Sequence, residues 1–181
     1  NENEASDVAF AGDGHTLVAG RFDGSIEIAT GNTLAGTGNG NDDLFVVRYD
    51  TAGSVVHSRV AGDAAGQYAN AVAVGPDALE VFTGATAGAV DLGNAHVYAP
   101  GGGAGFDGLL SKLDASGAGQ WILGFGTAGF QEGVDVAVDN SGGASNGNVV
   151  LVGNFSGELD MGGGPIGSGA VNDFFIAVFG P

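Results

Sequence analysis

Hard oxygen ligands are the chemistry this sequence offers most plainly. Asp42 and Asp43 end a glycine-rich run, Thr37-Gly-Asn-Gly-Asn-Asp-Asp-Leu-Phe45, and Asp139 and Asn140 open a Gly/Ser-rich stretch. Carboxylates, carboxamides and backbone carbonyls in such loops suit Ca2+. Calcium is therefore the one cofactor these residues suggest, with Asp42, Asp43, Asp139 and Asn140 as candidate ligands. The run at 37–45 comes close to the Gly-Gly-x-Gly-x-Asp-x-hydrophobic calcium repeat, but that motif works as a consecutive array. Phe106 and Asn172 stand where an array would repeat Asp42. A competing reading needs no metal. Asp43, Asp107 and Asp173 recur ahead of apolar runs, where an aspartate caps the start of a strand by accepting backbone N–H bonds. A residue repeated in every unit serves architecture more readily than chemistry, so this reading is preferred.

Other catalytic constellations are missing. His15, His57 and His96 show no ligand spacing, and no serine sits in Gly-x-Ser-x-Gly. The Gly101–Gly105 run lacks the Lys-Ser/Thr of a phosphate loop. There is no cysteine, hence neither a disulfide nor a thiolate metal site. No convergent acid, base and nucleophile can be named, and the chain is not expected to be an enzyme.

Composition narrows the partners. The chain has 181 residues, with 21 acidic against 4 basic side chains and a formal net charge of −17. Such a surface repels nucleic acid and anionic lipid. No apolar run reaches the roughly 18 residues that cross a bilayer as a helix. The 37 glycines follow no every-third-residue rule, which excludes collagen. They punctuate alternating apolar runs, as turns do.

Three copies of one β-rich unit must position whatever chemistry there is. Gly20-Arg21-Phe22-Asp23-Gly24 aligns with Gly84-Ala85-Thr86-Ala87-Gly88 and with Gly153-Asn154-Phe155-Ser156-Gly157. The whole chain, 1–181, reads as one repeat domain with units at roughly 5–68, 69–133 and 134–181. Each unit predicts four short strands. The first covers 7–10, 70–74 and 135–138. The second covers 16–20, 80–84 and 149–153, and runs on through 25–28, 89–92 and 158–161. The third covers 44–49, 108–113 and 174–179. The fourth covers 54–60 and 120–125. Asp50-Thr-Ala-Gly53 and Asp114-Ala-Ser-Gly117 supply hairpin turns. The stretch 140–147 is a surface insertion in the third unit.

Four antiparallel strands, repeated, is the plan of a β-propeller blade. The chain resembles the Gly/Asp-rich bacterial propeller repeats called SBBP repeats. The resemblance is carried by Asp107, Lys112-Leu113-Asp114-Ala-Ser-Gly117, Trp121, Val136-Ala-Val-Asp139, Gly147-Asn-Val149, Gly153, Phe155, Gly157, Asp160 and Asp173-Phe174. Thr86 departs from the pattern where the other units have phenylalanine, and Glu27 stands for Asp91 and Asp160. It implies an all-β, propeller-like protein of three four-stranded antiparallel blades, secreted or exposed on a prokaryotic cell surface.

The strand tally predicts an unfinished margin. The third unit reaches Phe179-Gly-Pro181 with no fourth strand. An unpaired edge is a template for association. The residues Phe174, Phe175, Ile176, Ala177, Val178 and Phe179 are the expected assembly edge. The expected function is structural: a subunit of an extracellular assembly, a filament or ring, built by strand complementation between copies. The alternative is a secreted carbohydrate- or protein-binding module that uses loops at one end of the blades. Trp121 is expected in the core with Phe125 and Phe130.

Overall fold

The computed structural model describes residues 3–37, 40–100, 105–127, 129–167 and 172–181. Residues 101–104 of the glycine run and 38–39 of the calcium-like run lie outside these. The described chain is all-β, with one short 3-10 turn at Pro76–Ala78.

Unit one holds β1 (Glu4–Phe10), β2 (Thr16–Phe22), β3 (Ser25–Ala29), β4 (Asn32–Ala35), β5 (Asp43–Tyr49) and β6 (Val55–Ala61). Unit two holds β7 (Gln67–Val74), β8 (Glu80–Thr86), β9 (Val90–Asp91), β10 (Val97–Tyr98), β11 (Asp107–Leu113) and β12 (Gly119–Phe125). Unit three holds β13 (Gln131–Val138), β14 (Val149–Phe155), β15 (Glu158–Leu159), β16 (Ile166–Gly167) and β17 (Asp173–Phe179). The main sheets are antiparallel: β1-β2-β5-β6 (sheet 1), β7-β8-β11-β12 (sheet 2) and β13-β14-β17 (sheet 3). Between the second and third main strands each unit inserts a two-stranded ribbon: β3-β4, β9-β10 or β15-β16.

The ribbons correct the expectation that each second strand runs on. Gly24 and Gly157 adopt φ of +78° and +83°, a conformation that turns the chain out of the sheet at little cost only for glycine. The ribbon then folds back over its own sheet. Leu34, and Ile26 and Ile28 beside it, pack with Phe22, Phe45 and Val47. The expected Asp-to-Gly hairpins are present. Asp50 Oδ1 accepts the N–H groups of Ala52 and Ser54, and Asp114 Oδ1 those of Ser116 and Ala118.

A β-bulge at the same place in each first strand explains the glycine anchors. The register shifts between Ala5 and Asp7, Ala69 and Ala71, and Gly133 and Asp135. The residues opposite are Gly20, Gly84 and Gly153. A Cβ at any of them would overlap a carbonyl oxygen of the bulged strand: Glu4, Tyr68 or Glu132 respectively. First strands also start earlier than expected, because their polar beginnings pair through the backbone. Glu4 and Ala5 pair with Arg21 and Gly20.

The sheets stack in chain order. Leu17, Ala19, Leu44 and Val46 of sheet 1 share a buried cluster with Ala69, Val72, Phe82, Leu109 and Leu113 of sheet 2. The other face of sheet 2, through Ala71, Val81, Leu110 and Phe125, packs on Val136, Leu151, Phe155 and Phe175 of sheet 3. Fully burying one such side chain contributes about 1.5–3 kcal/mol. Trp121 packs on this second cluster with Phe125, as expected. Phe130 instead meets Phe106 edge-on, at a ring separation of 6.2 Å.

Candidate functional site

The recurring aspartates sit where the strand-capping reading places them. Asp43 opens β5, is fully buried, and accepts bonds from the Thr37 N–H and hydroxyl. Asp107 opens β11, and Tyr98 donates its hydroxyl to Asp107 Oδ2 at 2.6 Å. Burial, then that aspartate, raises the Tyr98 pKa well above its ordinary value. Asp173 opens β17, where its carboxylate accepts the N–H of Phe174.

The four candidate calcium ligands form two separate pairs at opposite ends of the sheets. Asp42 lies 3.7 Å from Arg21 and its carbonyl accepts the N–H of Gln67. Asp139 follows the other end of a first strand, and accepts the Ser141 N–H and the Ser145 hydroxyl. These bonds, the Ser145 hydroxyl foremost, hold its carboxyl below the usual aspartate range. Asn140 donates to the carbonyls of Val74 and Val138. Among the described residues no three His, Asp or Glu side chains gather into a metal-binding group.

A buried charge network escaped the sequence. Arg48, on β5, donates to Glu80 Oε1 at 3.0 Å, to Asp13 Oδ2 at 2.8 Å, and to His15 Nδ1 at 3.0 Å. His57 Nε2 lies 2.9 Å from the same Glu80 oxygen. The N–H of His15, foremost, and Arg48 hold the Asp13 carboxyl below its usual range. Glu80 and Arg48 are 0% and 3% exposed. Glu80 Oε2 and His57 Nδ1 have no hydrogen-bond partner among the described residues. The one available signal was scarcity. Three of the four basic residues are arginines of unit one, and all three reach sheet 2 or its hairpins. Arg21 lies over the Tyr68 ring at 5.0 Å, and Arg59 bonds the Gly117 carbonyl.

Beside this network an open cavity of 640 Å3 lies at the hairpin end of the first strands. Phe10, Asp13, Asp77 and Asn140 border it.

The predicted assembly strand divides by side chain. Phe175 is buried against Phe125, ring to ring at 5.4 Å, and Ala177 and Phe179 pack on the same cluster. Phe174, Ile176 and Val178 face outward at 70%, 65% and 65% exposure. Val178, Ile176 and Phe174 pair with Val150, Val152 and Asn154 of β14, so one face of sheet 3 is largely bare and apolar. A groove of 230 Å3 between Val134, Val152, Phe174 and Ile176 runs along it. Among the described residues β17 has β14 as its only strand neighbour. No helix of the described chain is long and apolar enough to cross a membrane. No family model matches the chain, and no curated protein matches it in sequence.

Proposed function

We propose that the protein is a structural subunit of an extracellular or cell-surface assembly, a ring or filament. It self-associates through the margin of sheet 3, and its three sheets act as propeller-like blades of the SBBP type. One observation carries this reading. Among the described residues, β17 has one backbone edge without a strand partner and three exposed apolar side chains on the same strand. Exposed apolar surface of this kind marks interaction sites, and a free edge adds main-chain hydrogen bonds to the contact. The acidic surface fits this reading, since like charge keeps copies apart until a specific contact forms.

Light scattering behind size exclusion, over a wide concentration range, tests the proposal. Particles larger than one chain are expected, and protection of β17 amides from hydrogen exchange should rise with concentration. A monomer at every concentration refutes it.

A second reading, a carbohydrate-binding module, is favoured by the cavity at the hairpin end. There the exposed Phe10 ring stands beside Asp13, Asp77 and Asn140. Aromatic faces with nearby hydrogen-bonding groups hold sugars. Retention of a monodisperse protein on a glycan array, lost in Phe10→Ala, would support it.

A further inference from the structure

We infer that the bare face of sheet 3 receives sheet 1 of a second copy, in the same head-to-tail register that joins the sheets within the chain. This rests on the self-association proposed above and names its partner surface: side-chain faces rather than the strand edge alone.

The chain builds the contact twice, so its parts can be read off. In each case the following sheet approaches with its first strand. Val72 and Val74 of β7 pack toward sheet 1, and Val136 and Val138 of β13 toward sheet 2. A small residue precedes each bulge, Ala69 or Gly133, and lies against the second strand of the sheet before. Ala69 shares a buried cluster with Ala19, and a Cβ on Gly133 would overlap the Thr83 hydroxyl. A backbone bond closes the outer end. Gln67 N–H donates to the Asp42 carbonyl at 2.8 Å, and Gln131 N–H to the Phe106 carbonyl at 2.7 Å.

Both halves of a third such contact lie exposed on the chain. By strand register, Val8 and Phe10 of β1 match Val72 and Val74, yet are 55% and 77% exposed. Ala5 is the small residue before the bulge and is exposed too. Asn3 takes the place of Gln67 and Gln131. On the receiving side, Phe174 and Ile176 match Leu44 and Val46 of β5, which are fully buried under sheet 2. Val152 matches Ala19 and Thr83, and Asn172 offers the carbonyl ahead of the strand aspartate. The offering face is on sheet 1 and the receiving face on sheet 3. One chain's tail therefore fits another chain's head, a heterologous contact. A second copy is the occupant that this chain itself supplies, with an apolar residue, a small residue and a donor at matching places. Two copies joined at both ends would hold six main sheets, inside the span of about four to eight in closed propellers.

Complementing variants test the register. Phe10→Asp spoils only the offering face, and Ile176→Asp only the receiving face. Both positions are exposed within one chain, so each variant should fold with the circular dichroism spectrum of the parent. The parent is expected at the mass of two chains or a multiple. Each variant alone is expected as a monomer. Mixed together they should form a 1:1 complex, because each lends its intact face to the other. Ala5→Cys in one copy and Val152→Cys in the other should then form a disulfide under mild oxidation, in a chain that has no other thiol. Three results overturn the inference. A monomeric parent removes it together with the self-association reading. An associating parent whose Phe10→Asp variant associates equally well removes this register and leaves association through β17 standing. A mixture that stays monomeric removes the head-to-tail geometry.

Discussion

Replacing Arg48 with methionine should be among the costliest single changes in this protein. The arginine is 3% exposed and Glu80 is fully buried, and their charged atoms lie 3.0 Å apart. At an effective dielectric of about 20, two unit charges near 4 Å attract by roughly 4 kcal/mol. Breaking such a pair costs about 3–5 kcal/mol, chiefly because a carboxylate is left in the interior without its counter-charge. In a protein of this length 1 kcal/mol moves Tm by about 2–4 °C. Arg48→Met should therefore lower Tm by roughly 6–20 °C, read by calorimetry or circular dichroism. The origin of the cost is separable. Adding Glu80→Gln removes the stranded charge, and the double variant should recover more than half of the loss. Methionine fills much of the arginine stem's volume, so packing changes little between the two. A loss below about 2 °C for Arg48→Met would refute the argument. A double variant no better than the single one would also refute it, by placing the cost in packing rather than in the orphaned carboxylate.

Four further outcomes are expected. Gly84→Ala forces a Cβ onto the Tyr68 carbonyl. It should destabilise by at least about 1–3 kcal/mol in urea titration, whereas Gly12→Ala, which meets nothing within 4 Å, should cost far less. Asp63 accepts the N–H of Ala65, foremost, and that of Ala89, which hold its carboxyl below the usual aspartate range. Its contribution is thus complete above the unfolded value and is lost as pH falls through the lower folded one. Asp63→Asn should flatten the acid side of the urea midpoint against pH and change its slope little near neutrality. Calcium at millimolar concentration should leave Tm unchanged, since Asp42–Asp43 and Asp139–Asn140 lie at opposite ends of the sheets. A rise of several degrees would assign one pair to metal. Added monovalent salt should raise Tm by screening the net charge of −17.

Periodicity was the legible part of the fold. Alternating apolar runs gave every main strand, because a side chain's inside or outside position is written directly into a period of two. The paired glycines stand at equivalent places in the three main sheets, although their reason, a bulge pressing a carbonyl onto Gly20, Gly84 and Gly153, is a contact between strands that spacing alone does not carry. The ribbons were read as continuations of the second strands, because a glycine can end a strand or pass through it and only its φ decides. Phe174 through Phe179 could be named as a margin but not divided into inner and outer faces, since all six are apolar. The charge network was illegible for a different reason. His15, Arg48 and His57 are far apart in sequence and meet through the pairing of β2, β5 and β6 within sheet 1, and stacking on sheet 2 adds Glu80. The recurring aspartates open β5, β11 and β17, and Asp43 and Asp173 accept backbone N–H bonds there, whereas the Asp107 carboxylate takes the Tyr98 hydroxyl, a partner spacing did not indicate.

The two seams between sheets each have an apolar core but differ in what is added to it. Arginines of the first unit clasp the second through charge, while Phe125, Phe155 and Phe175 interlock the second with the third. Aromatic and aliphatic adhesion slackens on cooling, whereas the penalty for sequestering ions shrinks on heating. Warming should accordingly favour the amino-terminal seam, whose arginines then lose part of their burial penalty, whereas cooling should loosen both.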